Sequence, residues 1–236
     1  MSVVPVIRWE GPDAYAVAFS TRRGGVSDGP YESLNLGRST RDQPENADEN
    51  RRRLCETMGV EPARLALNRQ VHGATVTRAE PGERGRDADG LWTDEPGVPM
   101  LAFSADCLPI VLARVNGTPG LALIHAGRVG LLDGVVEAGV AALGGRLNAV
   151  IGPGIGPCCY EVGKEVATPY RGRFGPDVMR GHNLDLWTAA ERVLRSAGVE
   201  TVERLDLCTA CDPEQFFSHR RDGPVTGRQG VIGYVA

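Results

Sequence analysis

Short strand-like apolar runs recur along this chain, most of them bounded by Gly, Pro or Asp, and they limit the fold more than any other feature. Val3 to Trp9 and Tyr15 to Phe19 read as two strands joined by the turn cluster Gly11-Pro12-Asp13. Leu65 to Ala79 is strand-like around Gln70-Val71-His72-Gly73. Met100 to Ala113 reads as strand, an interruption at Asp106-Cys107, then strand again. Gly120 to Ile124 is a buried strand running into His125, Ala149 to Ile151 a short one, and Val199 to Leu205 another. Helical patterns intervene. Pro44 to Met58 has proline in the first turn, Glu45, Asp48 and Glu49 in its N-terminal half, and Gly59 to stop it. Its later Arg51, Arg52 and Arg53 read as a solvated face. Leu131 to Leu143 places Leu132, Val135, Val136, Gly139, Val140 and Leu143 on one side. Tyr160 to Ala167 and Asn183 to Ala197 read as two more helices, and Pro81 to Arg86 as a polar loop. Many strands with helices at intervals, and no repeat or linker-like composition, predict one α/β or α+β domain over residues 1–236.

Composition narrows the partners. With 26 Lys+Arg against 30 Asp+Glu the net charge is −4, so no face is forced to be basic and nucleic-acid binding is disfavoured. Apolar content of 42% is that of a globular domain, and no apolar run approaches the ~20 residues of a membrane span. The first ten residues lack a basic segment followed by an apolar core, so the expected location is cytoplasmic. Six cysteines in such a compartment are expected to be reduced, which favours metal binding or catalysis over disulfides.

The chemistry-bearing residues are scattered. His72, Cys107 and His125 sit in the short sequences Gln70-Val71-His72-Gly73, Ala105-Asp106-Cys107-Leu108-Pro109 and Ile124-His125-Ala126-Gly127, and the last two flank strand-like runs. Two imidazoles and one thiolate are the donor set of a three-ligand zinc site with one position left open. The separations of 35 and 18 residues are not a local zinc motif, and a lone histidine on an apolar strand is more often a core residue. Asp87 and Asp89 orient a ligand histidine, act as acid or base, or simply form a turn before a strand. The loop Thr21-Arg22-Arg23-Gly24-Gly25 offers arginine forks for phosphate or carboxylate, or a solvated connection, and Asn35 offers a polar contact. Cys208-Thr209-Ala210-Cys211 with Cys158-Cys159 would make a four-cysteine zinc site. Adjacent cysteines rarely bind one ion together, so separate free thiols are expected there. Gly152-Pro153-Gly154-Ile155-Gly156-Pro157 has proline at the third position of a dinucleotide fingerprint, so that reading is rejected.

These blocks, together with Leu34-Asn35-Leu36-Gly37, Asp87-Ala88-Asp89-Gly90, Cys158-Cys159-Tyr160-Glu161-Val162-Gly163 and Phe217-Ser218-His219-Arg220-Arg221-Asp222, span nearly the whole chain. In that order the sequence resembles the YfiH/YlmD family, labelled multicopper polyphenol oxidoreductase or laccase, and is similar to FAMIN-type enzymes and peptidoglycan editing factors. The resemblance implies a single-domain layered α/β/β/α sandwich of the cysteine-hydrolase-like type. It implies zinc, or copper in its place, on His72, Cys107 and His125 as metal ligands and catalytic residues. It implies purine nucleoside phosphorylase, methylthioadenosine phosphorylase and adenosine deaminase activity on a small-molecule nucleoside with phosphate. Arg22, Asn35, Asp89 and Arg221 are then the expected substrate contacts, with Arg22 and Arg221 clamping phosphate. One departure is visible. Where the family often reads His-Ala-Gly-Trp-Arg-Gly, this chain has His125-Ala126-Gly127-Arg128-Val129-Gly130, so the tryptophan is gone and the arginine displaced. The competing readings are a copper-dependent polyphenol oxidase, which four histidines in total serve poorly, a thiol hydrolase with Cys107 as nucleophile, and a non-catalytic binding module.

Overall fold

The structure is a computed structural model that describes residues 3–236. Its strands in chain order are β1 (Val6–Arg8), β2 (Tyr15–Ser20), β3 (Ala66–Arg69), β4 (Val76–Arg78), β5 (Arg84–Asp87), β6 (Gly90–Thr93), β7 (Met100–Ser104), β8 (Leu108–Arg114), β9 (Leu121–Ala126), β10 (Leu147–Ile151), β11 (Met179–Arg180), β12 (Asn183–Leu184), β13 (Thr201–Arg204) and β14 (Gln229–Val235). The helices are α1 (Pro44–Met58), α2 (Arg128–Asp133), α3 (Val135–Leu143), α4 (Lys164–Phe174), α5 (Leu186–Ser196) and α6 (His219–Asp222). One sheet has the order β1-β2-β14-β7-β3-β5 and the other β13-β10-β8-β9-β6-β4, with β11-β12 a separate ribbon.

Period-2 alternation explains the layering. On β9, Leu121 and Leu123 join the core between the sheets while Ala122 and Ile124 face α3 and α5. On β8, Val111 and Ala113 face inward, and Ile110 and Leu112 face the helices. The first sheet repeats the scheme. Val17 and Phe19 of β2 and Val231 of β14 point between the sheets, and Ala18 and Ile232 point to Leu54 and Met58 of α1. A strand covered on both faces reads as a continuous apolar run, which is why β8 and β9 stand out in the sequence. The result is an α/β/β/α sandwich, with α1 outside one sheet and α2 to α5 outside the other.

Several elements differ from expectation. The run Leu65 to Ala79 is two strands in different sheets, β3 and β4, with His72 in the crossing between them. The stretch 131–143 divides at Gly134, whose φ of +94° ends α2, and the helical path begins earlier, at Arg128. Tyr160 to Gly163 is not helical, because Glu161 bridges to Asn183 and the Val162 N–H donates to the His182 carbonyl; α4 therefore starts at Lys164. Asn183 and Leu184 pair with β11, so α5 starts only after Asp185, whose carboxylate caps it by accepting from the Thr188 N–H at 3.0 Å. The supposed polar loop at Pro81 to Arg86 overlaps the exposed edge strand β5, which continues to Asp87. Arg51, on the supposedly solvated face of α1, is buried under Phe103 and donates to the Leu36 carbonyl at 2.9 Å.

Candidate active site

One end of the second sheet carries the site. β8 runs antiparallel to β9 and pairs Leu108 with Ala126 and Pro109 with His125. Cys107, just before β8, therefore lies beside the end of β9 that carries His125. β6 pairs Gly90 with Ile124, and the His125 N–H donates to the Asp89 carbonyl at 2.7 Å, so Asp89 sits at the same end. His72 arrives from the β3–β4 crossing. The potential ligand atoms of His72, Cys107 and His125 all lie within 4.8 Å of one another, and the two imidazole rings are 5.0 Å apart, edge to face. Gly127 leaves the room for this: a Cβ there would lie 3.0 Å from the Cys107 sulfur and 3.1 Å from His72 Cδ2. His72 at φ +60° and Asp106 at φ +89° adopt the left-handed region that side chains rarely occupy, a strain that concentrates at functional sites.

Asp89 holds the assembly. Its carboxylate, fully buried, accepts the backbone N–H groups of Val71 (3.1 Å), His72 (3.0 Å) and Gly73 (2.7 Å). It also pairs with His125 Nδ1 at 2.8 Å. One side chain thus fixes both the strained His72 loop and the ring of His125, leaving the other nitrogen of His125 for the site. Burial pushes the Asp89 carboxyl up, but the bonds from His125 and Gly73 outweigh it and the group is lowered. Burial likewise pushes the Cys107 thiol up, and the neighbouring His125 and His72 bring it down to about 6. Burial disfavours the His125 imidazolium, and Cys107 and Asp89 raise it to about 9. Both shifts act in the direction of a thiolate–imidazolium pair, with the Asp89 carboxylate orienting the imidazole.

The triad opens into a cleft of about 850 Å³, within the roughly 300–1,000 Å³ range of small-molecule sites. Two aromatic rings, Phe103 and Tyr160, line it, and Arg38, Arg128, Arg220 and Arg228 bring positive charge. The residues expected to touch substrate fare differently. Arg22 does not reach the cleft; it donates to the carbonyls of Glu32 (2.7 Å) and Pro213 (3.1 Å) and lies over Phe217. Arg221 is also spent on structure, bonding Asp222 and the carbonyls of Thr209 and Phe216. Asn35 is fully buried among Gly37, Thr40, Asp42 and the Arg228 N–H. Asp89 has both oxygens occupied by protein donors, so it positions His125 and His72 rather than substrate. The paired glycines serve packing: a Cβ on Gly25 would lie 2.0 Å from the Ser33 carbonyl oxygen.

The cations that do face the cleft carry little sequence signal. Arg228 spends Nη1 on the carbonyls of Thr226 and Gly227. Burial lowers its pKa, and the charges of Cys107 and Asp106 act to raise it. Arg220 stacks on the Tyr160 ring at 5.0 Å. Arg128, displaced by one place from the family arginine, opens α2 and still lines the cleft. The four cysteines expected to be separate thiols also converge, with sulfurs within 4.8 Å of one another.

Residues 16–235 match the sequence family described as multi-copper polyphenol oxidoreductase laccase. The chain is 39% identical over 231 residues to a purine nucleoside phosphorylase of Pseudomonas aeruginosa, with 93% of each protein covered. It is 37% identical over 239 residues to YfiH of Escherichia coli, also named a purine nucleoside phosphorylase, with 97% of each covered. The crystal structure of YlmD from Geobacillus stearothermophilus matches with a TM-score of 0.90 at 31% identity, covering 98% of this chain and 96% of that one. Sequence and fold agree, and the chain belongs to the YfiH/YlmD family, the family that carries the multi-copper polyphenol oxidoreductase description.

Proposed function

We propose that this protein is a purine nucleoside phosphorylase, with adenosine deaminase and methylthioadenosine phosphorylase activity, working in the cleft above His72, Cys107 and His125. The observation that carries the reading is the joining of that triad to a nucleoside-sized cleft rich in arginine, in a chain whose relatives bear the phosphorylase name. The donor set suits a single zinc ion: two imidazoles and a thiol already drawn toward thiolate, with Asp89 fixing His125 from behind. A bound zinc would supply Lewis acidity at the cleft floor.

The chain's own residues supply the rest. Arg228 and Arg128, with Arg220, neutralise inorganic phosphate and hold it against the ribose. A phosphate oxygen bonds to C1′ as the C1′–N9 bond breaks; the electron pair leaves with the purine, which takes up a proton. Phe103 and Tyr160 offer faces for the base, and Gln70 ties the Phe103 backbone from both sides at 2.7 Å. In deamination, water replaces the C6 amino group and ammonia leaves. The test is direct: adenosine, inosine, guanosine and methylthioadenosine are each incubated with phosphate. Ribose 1-phosphate, or its methylthio counterpart, is the expected product, and no phosphorolysis of any of the four would refute the reading.

A second reading draws on the Cys107–His125–Asp89 order of groups, which also suits a thiol hydrolase. Loss of turnover on chelation favours the metal; turnover in chelated protein that a thiol reagent abolishes favours the nucleophile. The copper oxidase reading is weaker. Among the described residues the clusters able to hold a metal are this triad and the four cysteines, so no group of histidines is available for a multi-copper centre.

A further inference from the structure

We propose that Cys158, Cys159, Cys208 and Cys211 form a second metal site, a four-thiolate centre that takes one zinc ion and clamps the loop beneath the catalytic cysteine. Every sulfur lies within 4.8 Å of the others; Cys211 is 3.3 Å from Cys158 and 3.4 Å from Cys159. Tetrahedral zinc–sulfur bonds of about 2.3 Å put sulfurs about 3.8 Å apart, inside that span. The objection that neighbouring cysteines diverge applies to extended chain. Residues 157–159 form a turn, closed by the Cys159 and Tyr160 N–H groups donating to the Gly156 carbonyl, and both side chains reach the same point. Opposite them the Cys208–Cys211 turn is closed by the Cys211 N–H on the Cys208 carbonyl at 3.2 Å. Gly154 bridges to Cys208, and the Gly156 N–H points at the Cys208 sulfur at 3.2 Å, a donor that favours thiolate.

Four thiols held this close, two of them exposed, have few protein partners besides one another. A soft divalent ion satisfies all four, displacing their thiol protons and needing no oxidant. The hollow that Cys158, Cys208 and Cys211 line shares no residue with the catalytic cleft. A chain of bonds nevertheless joins the two. Thr209, inside the Cys208–Cys211 turn, donates its hydroxyl to Asp106 at 2.6 Å, and the Arg220 N–H donates to the other Asp106 oxygen at 2.6 Å. Asp106 directly precedes Cys107. The ion would fix the segment that holds the strained Asp106.

The test is zinc stoichiometry in protein purified without added metal. About two ions per chain are expected, one lost in Cys107→Ser and the other in Cys211→Ser. Cobalt loaded into Cys107→Ser should give an intense sulfur-to-metal absorption, because the only thiolate cluster left is the four-cysteine one. Should Cys211→Ser fail to fold, alkylation of the wild type serves. Cys158, Cys159, Cys208 and Cys211 are expected to be protected from iodoacetamide with zinc bound and to react after chelation. A Cys107→Ser protein that binds neither zinc nor cobalt, free alkylation of all four in zinc-loaded protein, or a Cys208–Cys211 disulfide in the peptide masses would each overturn the proposal.

Discussion

Replacing Asp89 by asparagine probes the hub of the site with almost no change of shape. Each aspartate oxygen accepts two donors: one takes the His72 N–H and His125 Nδ1, the other the Val71 and Gly73 N–H groups. Asparagine keeps one accepting oxygen and puts an NH₂ in place of the other. With the NH₂ toward Val71 and Gly73 two backbone donors lose their acceptor; with it toward His72 and His125 the His72 N–H loses its acceptor, while Nδ1 can accept from the amide in the other tautomer. At about 1–3 kcal/mol for each unsatisfied buried group, Asp89→Asn should cost about 1–6 kcal/mol of stability. It should also release the ring of His125, and loss of such an orienting carboxylate weakens metal affinity about 10- to 100-fold. Urea unfolding of chelated protein reads the first effect; competition for zinc with a chromogenic chelator reads the second. A variant within about 0.5 kcal/mol of wild type, the ordinary range of surface changes, and with unchanged zinc affinity, would refute the argument that Asp89 holds both histidines.

Three further outcomes are expected. Gly127→Ala places a methyl against Cys107 and His72 and should lower kcat/KM at least tenfold, about 1.4 kcal/mol, while circular dichroism shows the fold retained; full activity would contradict the geometry. In chelated protein Cys107 should lose its thiolate as pH falls through about 6, so its alkylation by iodoacetamide should be half-maximal there, and a midpoint near the ordinary ~8.5 would contradict the ion pair with His125. Arg228→Ala should raise the KM for phosphate more than that for nucleoside, whereas Arg22→Ala, which removes bonds to Glu32 and Pro213, should lower stability and leave the phosphate KM unchanged; the reverse pattern would restore Arg22 to the cleft.

What could be read in advance follows from the range of the forces involved. α1 was legible to the residue because its ends are set locally, by Pro44 at the first helical position and Gly59 at φ +70°. β8 and β9 were legible because burial on both faces leaves an unbroken apolar run. β14 was not, since Gly230 and Gly233 interrupt its apolar run; Gly230 is there because a Cβ would lie 2.5 Å from the Ala102 carbonyl oxygen. β5 escaped because all four of its residues are exposed, so no buried side chain gives it an alternating apolar pattern. At the site, nothing in separations of 35 and 18 residues brings His72, Cys107 and His125 together; long-range strand pairing does that, and only resemblance to a family pointed to it. Arginine forks also bind backbone carbonyl oxygens, so Arg22 and Arg221 looked like ligand contacts while serving loops. The convergence of the two cysteine pairs was not legible because it depends on the turn that carries Cys158 and Cys159 and on the pairing of Gly154 with Cys208.

The proposed function rests on His72, Cys107 and His125 holding one zinc ion at the floor of the cleft. Anomalous diffraction recorded on both sides of the zinc edge, from crystals grown without added metal, tests it most directly. A peak bonded to the Cys107 sulfur and one nitrogen from each imidazole is expected, present above the edge and absent below it. Density between those three side chains that shows no zinc signal, or a signal that follows the copper edge instead, would contradict it.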